Sequence, residues 1–245
     1  AEADVILISG HNGGTGASPA TSIKFAGLPW EMGLTEAHQV LAMNNLRDRI
    51  TLRTDGGLRT GRDIIMAAMM GAEEFGIGTA ALIAMGCIMV RQCQSNTCPV
   101  GVCTQNEELR SKFTGSADKV VNLITFYAQE VREILASIGA RSLDEIIGRA
   151  DLLGQVSRGA EHLDDLDLNP LLIRVDGADT VVYNRDRPRN TVPDTLDAEI
   201  VRDAARFLQD GEKMQLSYSV QNTHRTVGTR ISSHIVTKFG MRNAL

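Results

Sequence analysis

The chain has 245 residues, of which 43% are apolar and 22% are charged, and its net charge is −5. These values are typical of a globular protein with one large domain or two small ones. Lysine and arginine are scattered among a slight acidic excess, so no basic patch indicates binding to nucleic acid or to a membrane surface. Every apolar run is interrupted by Gly, Glu or Arg before it reaches the length of a membrane span.

The first third of the chain repeats a short apolar strand, a glycine-rich loop and a helix. This alternation predicts an α/β protein with a parallel sheet, and a barrel is one way to close such a sheet. The predicted strands are 4–9, 50–54 and 74–79, the loops are 10–16 and 55–61, and the helices are 35–46, with Thr35 as N-cap, and 63–70.

The glycine loops are candidate anion sites, because a backbone amide approaches an anion closely only where no Cβ intervenes. Asp55-Gly-Gly leads directly into a predicted helix, whose N-terminus would add a favourable dipole. With Gly78 and Thr79 after the next strand, this layout resembles the phosphate site of (β/α)₈ barrels. Tight turns alone would also explain these glycines.

All four cysteines fall in one short segment, at positions 87, 93, 98 and 103. The gaps of five, four and four residues are wider than those of a typical zinc knuckle, and they favour an iron–sulfur cluster. Pro99, directly after Cys98, also occurs in ferredoxin-type runs. A zinc site, disulfides and independent buried thiols are the alternatives.

The rest of the chain predicts scaffold. The apolar stripe of a helix over 117–138 would cover the barrel, and a charged passage at 161–167 marks a domain boundary. Further predicted elements are a hairpin at 175–183, a helix at 195–208, a strand at 214–220 and the opening turns of a β-helix at 222–233.

Six motifs in this order resemble the large subunit of glutamate synthase, and together they extend along essentially the whole chain. They are Gly10 to Pro19, Thr54 to Asp63, Gly71 to Thr79, Met85 to Gly101, Arg189 to Asp197 and Gly211 to Arg230.

The resemblance implies an architecture and a domain organisation. Residues 1–160 would be the C-terminal part of an FMN-binding (β/α)₈ barrel, its last three strands, with an iron–sulfur loop at 87–103. Residues 161–245 would be a linker and the start of a right-handed β-helix domain. The chain, which begins at Ala1, is therefore interpreted as a fragment.

The resemblance also implies a reaction. Glutamate synthase makes L-glutamate from 2-oxoglutarate and ammonia released from glutamine, by hydride transfer from reduced FMN to 2-iminoglutarate, with electrons relayed through a [3Fe-4S] cluster. The implied partners are the glutaminase domain and other parts of the large subunit, and either a small subunit that uses NADPH and FAD or ferredoxin. The location implied is cytoplasmic. An alternative is a non-catalytic iron–sulfur or scaffold fragment of that enzyme, and another is an FMN barrel like the hydroxy-acid oxidases, without a cluster.

Matched to the family motif, three cysteines would be the cluster ligands: Cys87, Cys93 and Cys98. The flavin's ribityl-phosphate would be held by Asp55, Gly56, Gly57, Arg59, Gly78 and Thr79. The loop from His11 to Ser18 would line the face where the flavin meets the substrate, with His11 and Thr15 as the candidate catalytic residues. His11 would either donate a hydrogen bond there or brace the turn.

Two positions depart from the family pattern. The family has Asp where this chain has Asn12, which argues against acid–base chemistry at that position. At position 103 the family has a small residue without a thiol, whereas this chain has Cys103. This cysteine would either complete a four-iron cluster or be placed away from the cluster by the following segment, as an ordinary thiol. The second reading is favoured.

Overall fold

The computed structural model describes residues 3–13, 18–175 and 194–240. The chain divides into two compact units, Ala1–Arg189 and Asn190–Leu245. No helix in the described ranges is both long and apolar enough to cross a membrane.

The first unit contains a parallel sheet of three strands in the order β1-β2-β3, which confirms the predicted α/β class. The strands are β1 (Val5–Ser9), β2 (Thr51–Asp55) and β3 (Glu74–Gly76). Ser9 pairs with Asp55, and Asp55 pairs with Gly76, so all three strands end at the same edge. The predicted third strand is too long, because a helix already begins at Thr79.

Helices follow each strand and cover the sheet. In the first unit they are α1 (Ala20–Phe25), α2 (Trp30–Met43), α3 (Gly61–Met69), α4 (Thr79–Ala84), α5 (Glu107–Arg110), α6 (Ala117–Ser137) and α7 (Glu161–Asp164). Short 3-10 helices cover Arg47–Arg49, Cys93–Ser95, Ala150–Leu152 and Asn169–Leu172.

The core of the first unit lies where α2 and α3 pack against the sheet. Leu34 of α2, Leu52 of β2 and Ala67 of α3 are fully buried there. A second cluster joins α3 to α6, with Ile65 and Leu135 at its centre. Burial of these side chains fixes β2 and α3, and with them the loop that connects the two.

A buried polar network joins α2 to the turn between α3 and β3. The guanidinium of Arg47 donates to Glu73 Oε2 at 3.1 Å, to Gly71 O at 2.9 Å and, through Nε, to His38 Nδ1 at 3.2 Å. Burial, assisted by the charge of Arg47, lowers the pKa of His38 to about 4. His38 is therefore neutral near pH 7 and accepts the Arg47 hydrogen bond.

Two predicted helix starts differ from the structure. Helix α2 begins at Trp30 after Pro29, so Thr35 lies inside the helix and is not the N-cap. Its buried hydroxyl has no hydrogen-bond partner among the described residues. Proline is favourable at a helix start and disfavoured further in, which explains the earlier boundary. Helix α3 begins at Gly61, and Thr60 and Asp63 form a capping box at its start.

Helix α6 confirms the predicted span of 117–138 within one residue. It packs on α3 through Tyr127, Val131 and Leu135. Val121 and Ile124, which belong to the predicted apolar stripe, remain exposed. Within the predicted stripe, the described residues bury Leu135 and partly bury Val131, whereas Ile138 at the end is exposed.

The described part of the second unit is helical. It contains α8 (Leu196–Asp203), α9 (Ala205–Asp210) and α10 (Thr229–Phe239), so the helix predicted at 195–208 is present but is interrupted at Ala204. The buried Asp197 side chain accepts from the Gly228 amide at 2.9 Å and ties α8 to the start of α10.

The β structure predicted for this unit differs from what is observed. Residues 214–220 are irregular and not a strand, since no described segment pairs with them. The end of 222–233 belongs to α10 and not to a β-helix turn. The predicted hairpin at 175–183 lies, apart from Val175, outside the described residues.

Candidate cofactor site

Three loops meet at the edge where the strands end. The loop after β1 turns at once, with the Gly13 amide donating to Gly10 O at 2.8 Å, and the His11 amide donating to Leu28 O at 2.9 Å. The loop after β2 carries Gly56 and Gly57. Loops from separate parts of the sequence therefore lie together at this edge of the sheet, which is where parallel α/β sheets bind their ligands.

A cavity of about 340 Å³ opens between these loops. It is lined by Asn12, Gly13, Ile23, Asp55, Gly56, Gly57, Gly76, Ile77, Gly78, Thr79, Leu82 and Arg91. Five of the six residues predicted to hold the flavin line it, all except Arg59.

A second cavity, of about 450 Å³, shares part of this lining. Asn12, Gly56 and Gly57 border both cavities, while His11 and Arg59 line the second. Pro29 and Trp30 add apolar surface to it. The predicted catalytic residue His11 and the predicted anion-binding residue Arg59 therefore lie at the same cavity, next to the first one.

The geometry of the first cavity requires glycine at positions 13, 56 and 57 but not at position 78. Gly56 and Gly57 have φ angles of +107° and +93°, which residues with a Cβ rarely adopt. A Cβ on Gly13 would lie 2.3 Å from Asp55 Oδ1, whereas one on Gly78 would meet nothing within 4 Å. Gly78 thus opens directly onto free space.

At the N-terminus of α3, where the sequence predicts a favourable dipole for an anion, three backbone amides already donate to carboxylates. Asp63 Oδ2 accepts from the amides of Arg59 and Thr60, at 2.8 and 3.0 Å. Glu130 Oε2 accepts from the Gly61 amide at 2.6 Å. Two carboxylates therefore already occupy the positions that an anion would take at this helix start, whereas Gly78, at the start of α4, has no side-chain cap.

Asp55 carries a buried oxygen without a partner. Its Oδ1 is inaccessible to solvent and accepts no hydrogen bond from any described residue. A buried acceptor left unpaired is unfavourable, so a donor from a ligand would stabilise this site. The position of Asp55 beside both glycines directs that donor to the first cavity.

The other predicted catalytic residue, Thr15, lies outside the described residues. Asn12 borders both cavities and presents a neutral amide there.

The cysteine segment follows α4, and its four thiols are free. Cys98 is buried, and Cys87 Sγ accepts from the Met89 amide at 3.4 Å. Within the described residues, no three His, Cys, Asp or Glu side chains are arranged to hold a single metal ion.

Cys103 lies next to other thiols, although the sequence favoured its being carried away. Burial and the neighbouring sulfurs of Cys93 and Cys98 raise the pKa of the Cys103 thiol. Cys103 lies near these thiols because the chain makes a tight turn, in which the Gly101 amide donates to Cys98 O at 3.2 Å. Helix α5 begins only at Glu107, after Cys103 has been placed.

Backbone amides surround the Cys98 sulfur. Burial opposes ionisation of this thiol, but hydrogen bonds from the amides of Cys103, Val100 and Val102 outweigh it and lower the pKa of Cys98. Amide donors of this kind favour a thiolate, which is the form that binds iron. The predicted ligand set of Cys87, Cys93 and Cys98 stays a prediction.

Two residues of this segment were missed by sequence analysis. Asn96 has φ +60°, and its Oδ1 accepts from the Gln105 amide at 2.7 Å and lies 2.9 Å from the Thr104 hydroxyl. Arg91 has φ +62° and lines the first cavity. Asn is a frequent left-handed residue and gave a usable signal, but the irregular backbone that presents Arg91 gave none.

Comparison with known proteins identifies similar chains. A family model described as a conserved region in glutamate synthase matches residues 1–141. The large chain of NADPH glutamate synthase from Azospirillum brasilense is 70% identical over 241 residues, and that from Bacillus subtilis is 49% identical over 244. A ferredoxin-dependent glutamate synthase from Synechocystis is 50% identical over 245 residues. Each match covers 98% of this chain and 16% of the relative's length.

Solved structures give a weaker likeness. Two structures of one double mutant of flavocytochrome b2, one with pyruvate and one with sulfite bound, match with TM-scores of 0.36 and 0.38 at 18% and 16% identity. They cover 81% and 90% of this chain, and 33% and 38% of the respective solved chains. These scores are too low to assign a fold.

Proposed function

Because this chain belongs to the glutamate synthase family, we propose that it is the part of that enzyme that holds FMN and an iron–sulfur cluster next to the substrate. The observation that carries the proposal is the convergence of Asp55, Gly56, Gly57, Gly78 and Thr79 on one cavity. These residues come from the ends of two neighbouring strands, β2 and β3.

The first cavity has the chemistry that a ribityl-phosphate needs. The unpaired Asp55 Oδ1 would accept from a ribityl hydroxyl, and the backbone at Gly56 and Gly57 permits close approach. Gly78 and Thr79 would place main-chain amides near the phosphate. In this assignment Arg59 belongs to the second cavity, where its guanidinium would hold a carboxylate.

The second cavity would then accept 2-oxoglutarate and ammonia. FMN, when bound on the adjoining face, supplies the hydride that reduces 2-iminoglutarate to L-glutamate, and its electrons would come from a [3Fe-4S] cluster. His11 would donate a hydrogen bond to the substrate, with Thr15 in the same loop as a second donor. Pro29 and Trp30 would exclude water, which otherwise hydrolyses an imine. Asn12, being neutral, would orient and not transfer protons.

The proposal also covers the domains and partners. Residues 1–160 would form the last three strands of the FMN barrel with the cluster loop at 87–103, and 161–245 the linker and start of the β-helix domain. NADPH-dependent relatives match at 70% and 49% identity, and a ferredoxin-dependent relative matches at 50%. The electron donor would be either a small subunit that uses NADPH and FAD or ferredoxin, and the glutaminase domain would supply the ammonia.

The test uses the complete gene product, purified without oxygen. Released FMN, iron and sulfide are quantified, and L-glutamate formation from 2-oxoglutarate and glutamine is measured with a chemical reductant. We expect FMN, iron, sulfide and activity together. Flavin without iron would support a cluster-free FMN barrel instead, and a folded protein with neither would support a scaffold role and end the proposal.

A further inference from the structure

Arg91 is the one cationic side chain that lines the 340 Å³ cavity in the part of the chain that the structure describes. It belongs to the cysteine segment, four residues after Cys87 and two before Cys93. The carboxylate of Asp55 is the one anionic group there, and the remaining lining is glycine backbone and neutral side chains. The cysteine segment thus brings a positive charge to a cavity built mainly by other loops.

The Arg91 side chain is half-buried and has no ion pair or hydrogen bond with any residue of the three described ranges. The buried Arg47, by contrast, pairs with Glu73, and the half-exposed Arg149 pairs with Asp151. Withdrawing a guanidinium partly from water without an anionic partner is unfavourable, and a bound ligand could supply that anion.

The backbone holds Arg91 in place for such a ligand. Its φ of +62° is left-handed, and that of Met89, two residues earlier, is +59°. Residues with a Cβ adopt this conformation only where the surrounding structure determines it. The backbone position from which the Arg91 side chain starts is therefore set by the fold of the segment and not by local preference.

We propose that Arg91 binds the 5′-phosphate of FMN, an inference that depends on the function proposed above. The planar guanidinium fork matches two phosphate oxygens, which gives charge-assisted hydrogen bonds of defined direction. Arg59 is exposed and lines the other cavity, so it does not fill this role. The phosphate then joins the flavin pocket to the segment that carries the cluster thiols.

The experiment compares FMN with riboflavin, which lacks the phosphate. The complete gene product is freed of flavin, and both ligands are titrated by fluorescence into the natural protein and into the Arg91→Ala, Arg91→Lys and Arg62→Ala variants. We expect Arg91→Ala to weaken FMN binding roughly 10- to 100-fold and to leave riboflavin binding unchanged. Arg91→Lys should fall between, and Arg62→Ala, an exposed control, should match the natural protein.

Equal weakening of FMN and riboflavin, or no weakening of either, would overturn the role of Arg91. If Arg91→Ala is misfolded by circular dichroism, Arg91→Gly replaces it, because glycine accepts the left-handed backbone. Failure of the natural protein to bind either ligand would instead count against the proposed function. The two failures are thus distinguishable.

Discussion

The four thiols differ in their surroundings, and this difference predicts what each contributes. Cys98 is buried among amide donors, and Cys103 adjoins Cys93 and Cys98. If Cys87, Cys93 and Cys98 are the ligands, Ser substitution of any one should remove most of the iron from the anaerobically purified protein. Cys103→Ser should retain iron and sulfide in the same stoichiometry as the natural protein, because the hydroxyl replaces a neighbour and not a ligand.

Iron analysis of the four variants decides between two ligand sets. Loss of iron in Cys103→Ser together with its retention in Cys87→Ser would show that the set is Cys93, Cys98 and Cys103. Circular dichroism of each variant separates loss of the cluster from loss of the fold.

The buried imidazole of His38 predicts a pH dependence of stability. Its pKa is about 4 in the folded protein and 6.5 in an unfolded chain. Above pH 6.5 His38 is neutral in both states and adds no dependence. Between pH 6.5 and 4 the unfolded chain binds a proton that the folded protein excludes, so the free energy of unfolding should fall by about 3 kcal/mol over that range.

The matched variant for this prediction is His38→Gln, whose amide oxygen still accepts from Arg47. Urea unfolding between pH 7.5 and 5 should show a shallower loss in the variant than in the natural protein. If the free energy of unfolding has the same pH slope in both proteins, His38 binds its proton equally well in the folded and unfolded states.

At the scale of helices and strands, the start of α3 gives a sharp test. The Thr60 hydroxyl accepts from the Asp63 amide, whereas Ser116, the N-cap of α6, forms no side-chain cap hydrogen bond. Thr60→Ala should therefore lower the free energy of unfolding by roughly 1 kcal/mol, and Ser116→Ala should change it little. Equal effects of the two substitutions in urea unfolding would contradict the assignment of the cap.

Sequence patterns located the elements that local chemistry determines. Strand β1 is a continuous apolar run, each of the three strands leads into or ends at a glycine, and α6 has an apolar stripe, so their positions could be predicted. The start of α2 could not, because Thr35 has the chemistry of an N-cap but is buried inside the helix. Residues 214–220 alternate like a strand, and alternation without a partner strand does not form one.

Across the whole molecule, the parallel register allowed the site to be predicted. Three strands that end side by side place their loops together, so residues at 55–57 and 78–79 meet although separated in sequence. Arg91 and Cys103 could not be placed in the same way. Their positions follow from turns and left-handed residues in an irregular segment, for which no periodic pattern exists.

The division into two units predicts that a local change in the second stays local. Asp197→Ala removes the acceptor of the Gly228 amide, so the amides of α10 should exchange hydrogen faster. The amides of β1 to β3 should exchange at the natural rate, since those strands belong to the first unit. Hydrogen exchange read by mass spectrometry checks both, and faster exchange in the strands would show that the units unfold together.

The contacts of Asn96 have a consequence for how the proposed iron–sulfur cluster would be assembled. Asn96 is fastened to Thr104 and Gln105 by protein groups alone, on either side of the turn that carries Cys98 and Cys103. We therefore expect this turn to be folded before iron binds, so that the cluster would be assembled on a preformed site. Oxidative loss of the cluster would then leave the turn folded, and iron and sulfide could bind to it again.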